Sequence, residues 1–153
     1  MSSVLFVRDI EVSKKFYTEV LNQEIIMDFG RNVSFESGFA IWEIWDEHII
    51  PRTLKEKVNS GGNSFELYFE TPDIVETERI LVESNVSFIH NIIEEPWGQN
   101  TLRFFDPDGH IIEIGETLES FVKRFHDSGM DPGEIFKRTS IPVDDVKRIL
   151  GLK

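Results

Sequence analysis

The sequence predicts an α+β fold: two copies of one β-α-β-β-β unit, then a helical tail. Three observations carry this expectation. The segment Val4-Leu5-Phe6-Val7-Arg8-Asp9-Ile10 is echoed by Leu67-Tyr68-Phe69-Glu70-Thr71-Pro72-Asp73-Ile74, with Asp9 and Asp73 64 positions apart. Each copy is an apolar strand that runs into Asp-Ile and an amphipathic helix, followed by short alternating stretches separated by turn residues. Residues 117–153 repeat nothing earlier and carry a helical period instead. Two such units can curl a sheet around a cleft, the kind of place where small molecules bind.

In the first unit, residues 4–7 read as a strand. Residues 12–21 read as a helix, with Val12, Phe16, Tyr17, Val20 and Leu21 at helical spacing on one face. Strands are expected at 23–29, 32–36 and 39–45, divided by Gly30-Arg31-Asn32 and Ser37-Gly38. Residues 46–62 read as a linker, with one helical turn near 54–58 and breaks at Pro51 and Gly61-Gly62. The second unit opens with a strand at 64–70. A helix at 74–84 follows, with Asp73 and Glu76 at capping-box spacing. Strands at 86–93, 101–105 and 110–116 complete it. Glu94-Glu95-Pro96-Trp97-Gly98 forms a loop, and Asp106-Pro107-Asp108-Gly109 turns the last hairpin. The predicted domains are therefore 1–116, comprising units 1–46 and 63–116, and a C-terminal extension at 117–153. In that extension Leu118, Phe121, Val122 and Phe125 form a stripe that Gly129 ends. Asp131-Pro132-Gly133-Glu134 starts a second helix, and Ile141-Pro142-Val143 a third.

Composition narrows function. The chain has 153 residues and a net charge of -12, enough length to bury a core as one domain. Residues 1–116 carry -13 and the tail +1. An acidic body repels phosphate backbones, so nucleic acid is not an expected partner, whereas cations are favoured. With no cysteine, disulfides, thiolate metal sites and Cys nucleophiles are excluded, and a reducing, cytoplasmic setting is expected. No apolar run approaches the length of a membrane span and no basic-then-apolar pattern opens the sequence, so neither a span nor a signal peptide is expected. Nucleophile triads and phosphate-cradling glycine loops are also absent from the sequence.

One ordered set of motifs points further: Phe65-Glu66-Leu67-Tyr68-Phe69-Glu70, then Glu95-Pro96-Trp97-Gly98-Gln99, then Asp106-Pro107-Asp108-Gly109-His110-Ile111-Ile112-Glu113. Together with the duplication it resembles the vicinal oxygen chelate superfamily, which includes glyoxalase I, bleomycin and fosfomycin resistance proteins and extradiol dioxygenases. Residues 7–17 and Leu21 look like that family's opening strand and helix. The resemblance covers about residues 3–116. It implies two βαβββ units forming an open, barrel-like sheet around a cleft, commonly as a homodimer. It also implies that metalloenzyme members hold one divalent metal at four positions. By spacing these fall on Ser2, on Trp42 or Glu43, on Glu66 and on Glu113. Glu66 and Glu113 are apt ligands. Ser2 is a weak one, and Trp42 is none. Such an oxygen-only set would suit Mn, Mg or Ca. No cofactor is the first expectation, with one divalent metal as the alternative. His48, His90, His110 and His126 are expected in structural or surface roles.

The Trp97 loop with Arg103 looks most like bleomycin resistance proteins, which bind a flat aromatic cation in grooves at a dimer interface without catalysis. Strand alternation puts Glu66, Tyr68 and Glu70 on one face and Phe65, Leu67 and Phe69 on the other. The expected ligand-binding set is Trp42, Glu43, Glu66, Tyr68, Trp97, Arg103 and Glu113. Trp97 and Trp42 would stack on the ligand, carboxylates would attract its charge, and Arg103 would pair with Glu113 or Glu66. An alternative is a metal-dependent lyase or isomerase of the glyoxalase I type, or a dioxygenase-type enzyme. A second alternative is a regulatory protein, because residues 129–146 resemble a helix-turn-helix. Asp144 and Asp145 at the start of its reading helix disfavour DNA. The tail is expected to pack on the body or on a partner.

Overall fold

In a computed structural model the described residues are 3–55, 57–58 and 61–153. The chain forms two compact units. One comprises residues 1–67, 84–87 and 105–111, and the other 68–83, 88–104 and 112–153. The fold is α+β, with two open four-stranded sheets ordered β1-β4-β3-β2 and β5-β8-β7-β6.

The first sheet is mixed. β1 (Ser3–Val7) runs parallel to β4 (Phe39–Glu43), with Ser3 opposite Phe39 and Val7 opposite Glu43. β3 (Asn32–Phe35) is antiparallel to β4 and to the edge strand β2 (Ile25–Asp28). The expected strand at 23–29 is shorter, and its pairing slips between Ile25 and Met27. Helix α1 (Ile10–Lys15) continues as a π-helical turn, Phe16–Val20. It begins two residues earlier than expected, because the Asp9 carboxylate accepts the backbone N–H groups of Glu11 and Val12. Its inner face is Ile10, Ser13 and Tyr17, leaving Val12 exposed. Tyr17, Phe35 and Phe39 pack ring on ring in this unit's core, at centroid distances of 4.7–5.6 Å.

The linker differs from expectation. Its helix, α2 (Ile49–Leu54), ends where one helical turn was predicted to begin. Pro51 reads as a breaker in sequence, but it lies in the first turn, where a missing N–H costs nothing. His48 caps this helix, its Nδ1 accepting the Ile50 N–H at 3.2 Å. Part of the expected turn, Glu56, lies outside the described residues.

The second sheet comprises β5 (Gly62–Thr71), β6 (Ser87–Glu94), β7 (Asn100–Phe105) and β8 (His110–Glu116), with helix α3 (Ile74–Glu83). Leu102, Phe104, Ile112, Ile114 and Leu81 are buried. Alternation along β5 holds for half-buried Leu67 and Phe69 against exposed Glu66, Tyr68 and Glu70, although Phe65 is exposed. The tail forms α4 (Leu118–Asp127), α5 (Pro132–Thr139) and α6 (Val143–Leu150). The capping box of Asp131 and Glu134 is complete. Phe121, Val122, Phe125, Ile135 and Val146 make a small core among these helices, while Leu118 lies outside it, exposed. No helix among the described residues is long and apolar enough to cross a membrane.

Candidate functional site

Strand β8 and the loop before β7 build the most developed site, and it lies within the second unit. Gln99 is its hinge. Its side-chain oxygen accepts the Trp97 indole N–H at 3.2 Å, and its amide nitrogen donates to the Tyr68 hydroxyl at 3.0 Å and to the Glu116 carbonyl at 2.8 Å. Tyr68 then donates to Glu70 at 3.2 Å. One amide thus ties two rings, each nearly half exposed (Trp97 46%, Tyr68 47%), into a platform with a carboxylate at its edge. Burial raises the Tyr68 pKa, and the Glu70 charge and hydrogen bond add to this against the bond from Gln99. The ring therefore stays neutral and keeps its hydroxyl proton. Gly115 makes room for the platform, because a Cβ there would lie 2.8 Å from the Gln99 amide and 2.9 Å from the Tyr68 hydroxyl.

The second unit also holds an ion cluster. Arg103 pairs with buried Glu113, donates to Glu95 at 2.8 Å and meets His90 Nε2 at 3.1 Å. Thr101 also donates to Glu95, at 2.9 Å. The Arg103 hydrogen bond holds the Glu95 carboxyl below its ordinary pKa.

The remaining predicted residues lie in the first unit. Trp42 and Trp45 meet the buried His48 ring edge-on, at 4.9 and 4.8 Å. Glu43 accepts the Ile10 N–H at 3.2 Å and lies 3.6 Å from Arg31, so it serves the start of α1. Glu66 is exposed on β5 beside a hollow that it lines with Ser64, Phe65 and Ile111. Of the seven predicted ligand residues, the second unit therefore holds Tyr68, Trp97, Arg103 and Glu113. Gln99 and Gly115 were not singled out as site residues. Nothing in the spacing of either points to partners 31 and 47 positions away.

The described members of the donor set do not form a catalytic metal site. Glu113 is engaged by Arg103, and no group of three or more acidic or imidazole side chains among the described residues is placed to hold a metal ion. Ser2 lies outside the described residues. The histidines take local roles: His110 bonds the buried Asp106 at 2.8 Å, and His126 is exposed on α4, 3.3 Å from the Met130 carbonyl.

The glyoxalase-like domain family matches residues 1–119. A solved protein of unknown function from Agrobacterium tumefaciens str. C58 is 39% identical, with a TM-score of 0.68 over 76% of this chain and 92% of that one. A member of the glyoxalase/bleomycin resistance protein/dioxygenase superfamily from Sphaerobacter thermophilus DSM 20745 is 25% identical, with a TM-score of 0.57 over 75% and 94%. Lactoylglutathione lyase from Agrobacterium tumefaciens is 22% identical, with a TM-score of 0.57 over 76% and 92%, a likeness of fold alone. No curated protein matches the chain significantly.

Proposed function

The chain belongs to the glyoxalase-like domain family of the vicinal oxygen chelate superfamily, and we propose that it binds a small, planar, cationic aromatic molecule without a catalytic metal. The observation that carries this reading is the Trp97–Gln99–Tyr68 platform. Two exposed rings held by one amide offer stacking surface at little ordering cost, and Glu70 stands ready for positive charge. The net charge of -12 favours the same ligand sign. The binding partner is thus a small molecule, in a cytoplasmic protein. Exposed Ile25, Ile26, Met27 and Phe29 on and beside the edge strand β2 support a homodimer.

Fluorescence titration at pH 8 with proflavine, a planar cation, and with acridine, its neutral relative at that pH, tests the reading. We expect proflavine to bind more tightly. We also expect Trp97→Ala to weaken its binding about 5- to 30-fold, the range of one stacking and cation–π contact. Equal affinities for both dyes, or an unchanged Kd in Trp97→Ala, would remove the platform as the site. Near-stoichiometric metal in untagged protein that falls in Glu113→Gln would favour the lyase alternative instead.

A further inference from the structure

The loop that carries Trp97 is held by the C-terminal helices, which continue beyond the matched family domain at residue 119. Arg124 on α4 grips it at Gly98. Its Nη2 donates to the Gly98 carbonyl at 2.6 Å, its Nε and Nη2 meet the Glu116 carboxylate at 2.9 Å each, and its Nη1 reaches Glu94 at 3.2 Å. Glu116 in turn accepts the Asn100 N–H at 2.9 Å. Arg138 on α5 grips it at Pro96, donating to that carbonyl and, at 2.8 Å, to Glu94. The two carbonyls that flank Trp97 are therefore both capped by tail guanidiniums.

Apolar packing agrees with the polar contacts. Gly98 takes a left-handed φ of +99°, and a Cβ there would lie 2.7 Å from the Phe125 ring. The Arg124 guanidinium stacks over that same ring at 4.8 Å. Burial opposes the Arg124 charge, but its bonds to Glu116 and Glu94 outweigh this and raise its pKa.

We propose that Arg124 and Arg138 are positioning residues that fix Trp97 for its ligand, so that docking of the tail and occupancy of the platform are linked. The second half rests on the binding reading above. The link is reciprocal: whatever the tail contributes to affinity, ligand returns as protection of the tail.

Hydrogen exchange of residues 94–100 tests the first half without any ligand, in wild type, Arg138→Ala, Arg138→Lys and Arg124→Lys. Arg138 is a partly exposed ion pair, so its loss should speed loop exchange about two- to fivefold. Arg138→Lys should recover part of this, while exchange of β3 and β4 and the thermal midpoint stay at wild-type values. Proflavine should slow exchange across α5 in wild type, and Arg138→Ala should weaken proflavine binding by a similar factor. Unchanged loop exchange in both Arg138→Ala and Arg124→Lys would overturn the positioning role. A looser loop with unchanged proflavine affinity would overturn the linkage. A looser loop in a protein that never binds proflavine would uphold the positioning role and sink the binding reading.

Discussion

The loop before β7 and the turn after it use the same kinds of residue to opposite ends. In the Asp106–His110 turn the two carboxylates are spent on holding the fold. Asp106 accepts the backbone N–H groups of Asp108 and His110, the Tyr17 hydroxyl and His110 Nδ1, all at 2.8–2.9 Å. Asp108 accepts from Ser13 and from the Arg8 backbone and side chain. In the Trp97–Gln99 loop the backbone is held just as firmly, by Arg124 and Arg138, yet the rings stay at the surface. Acid, hydroxyl and imidazole side by side therefore mark a buried brace here, and an exposed ring on a fixed backbone marks the better site.

The largest expected effect falls on the brace. Asp106→Ala removes one acceptor from four donors in a buried place, and should cost about 3–5 kcal/mol of stability by chemical denaturation. The same network predicts an acid response. Burial pushes the Asp106 pKa up, but the hydrogen bond and charge of His110, its backbone N–H and the Tyr17 hydroxyl outweigh it, leaving Asp106 below its ordinary value. A lowered carboxyl pKa contributes stability that is complete above the unfolded-state pKa and is lost as pH falls through the folded one. Denaturation curves from about pH 7 to about pH 3 should show this slope in wild type and a smaller one in Asp106→Asn. Equal slopes would mean that Asp106 is not the titrating brace.

A middle-sized effect is expected between brace and platform. Gly115→Ala places a methyl against the ends of Gln99 and Tyr68, side chains that can shift. The cost should be about 1–3 kcal/mol of stability, together with weaker proflavine binding, because Gln99 can no longer hold both rings. Stability lost with binding unchanged would separate Gln99 from the site.

The legible parts of the molecule were those written in local pattern. Arg103, expected beside Glu113 or Glu66, pairs with Glu113. The Asp131-Pro132-Gly133-Glu134 run announced the start of α5. Hidden parts depend on partners distant in sequence. Arg124 and Arg138 look like the solvated face of amphipathic helices, and only the fold brings them to carbonyls 26 and 42 positions away. His48 was read as linker because a histidine that caps a helix through Nδ1 has no spacing that betrays it. Glu43, one of the two residues that spacing offered as a ligand beside Trp42, is bound to the start of α1, since strand register rather than count decides where a side chain points.

The smallest stability effect should be at Trp97, and that smallness is what distinguishes the two regions. Its ring is 46% exposed and makes one hydrogen bond, to Gln99. The capped carbonyls beside it belong to Pro96 and Gly98, so an alanine at 97 keeps both grips. Trp97→Ala should therefore change unfolding free energy by no more than about 0.5 kcal/mol, as for a surface substitution, while weakening proflavine binding. A brace residue behaves the other way, losing stability first and binding only as a consequence. If Trp97→Ala instead cost more than about 2 kcal/mol, in the range of a lost core contact, the indole would be closing the loop over the second unit. The platform would then be a second brace, and the site would have to be sought elsewhere on the chain.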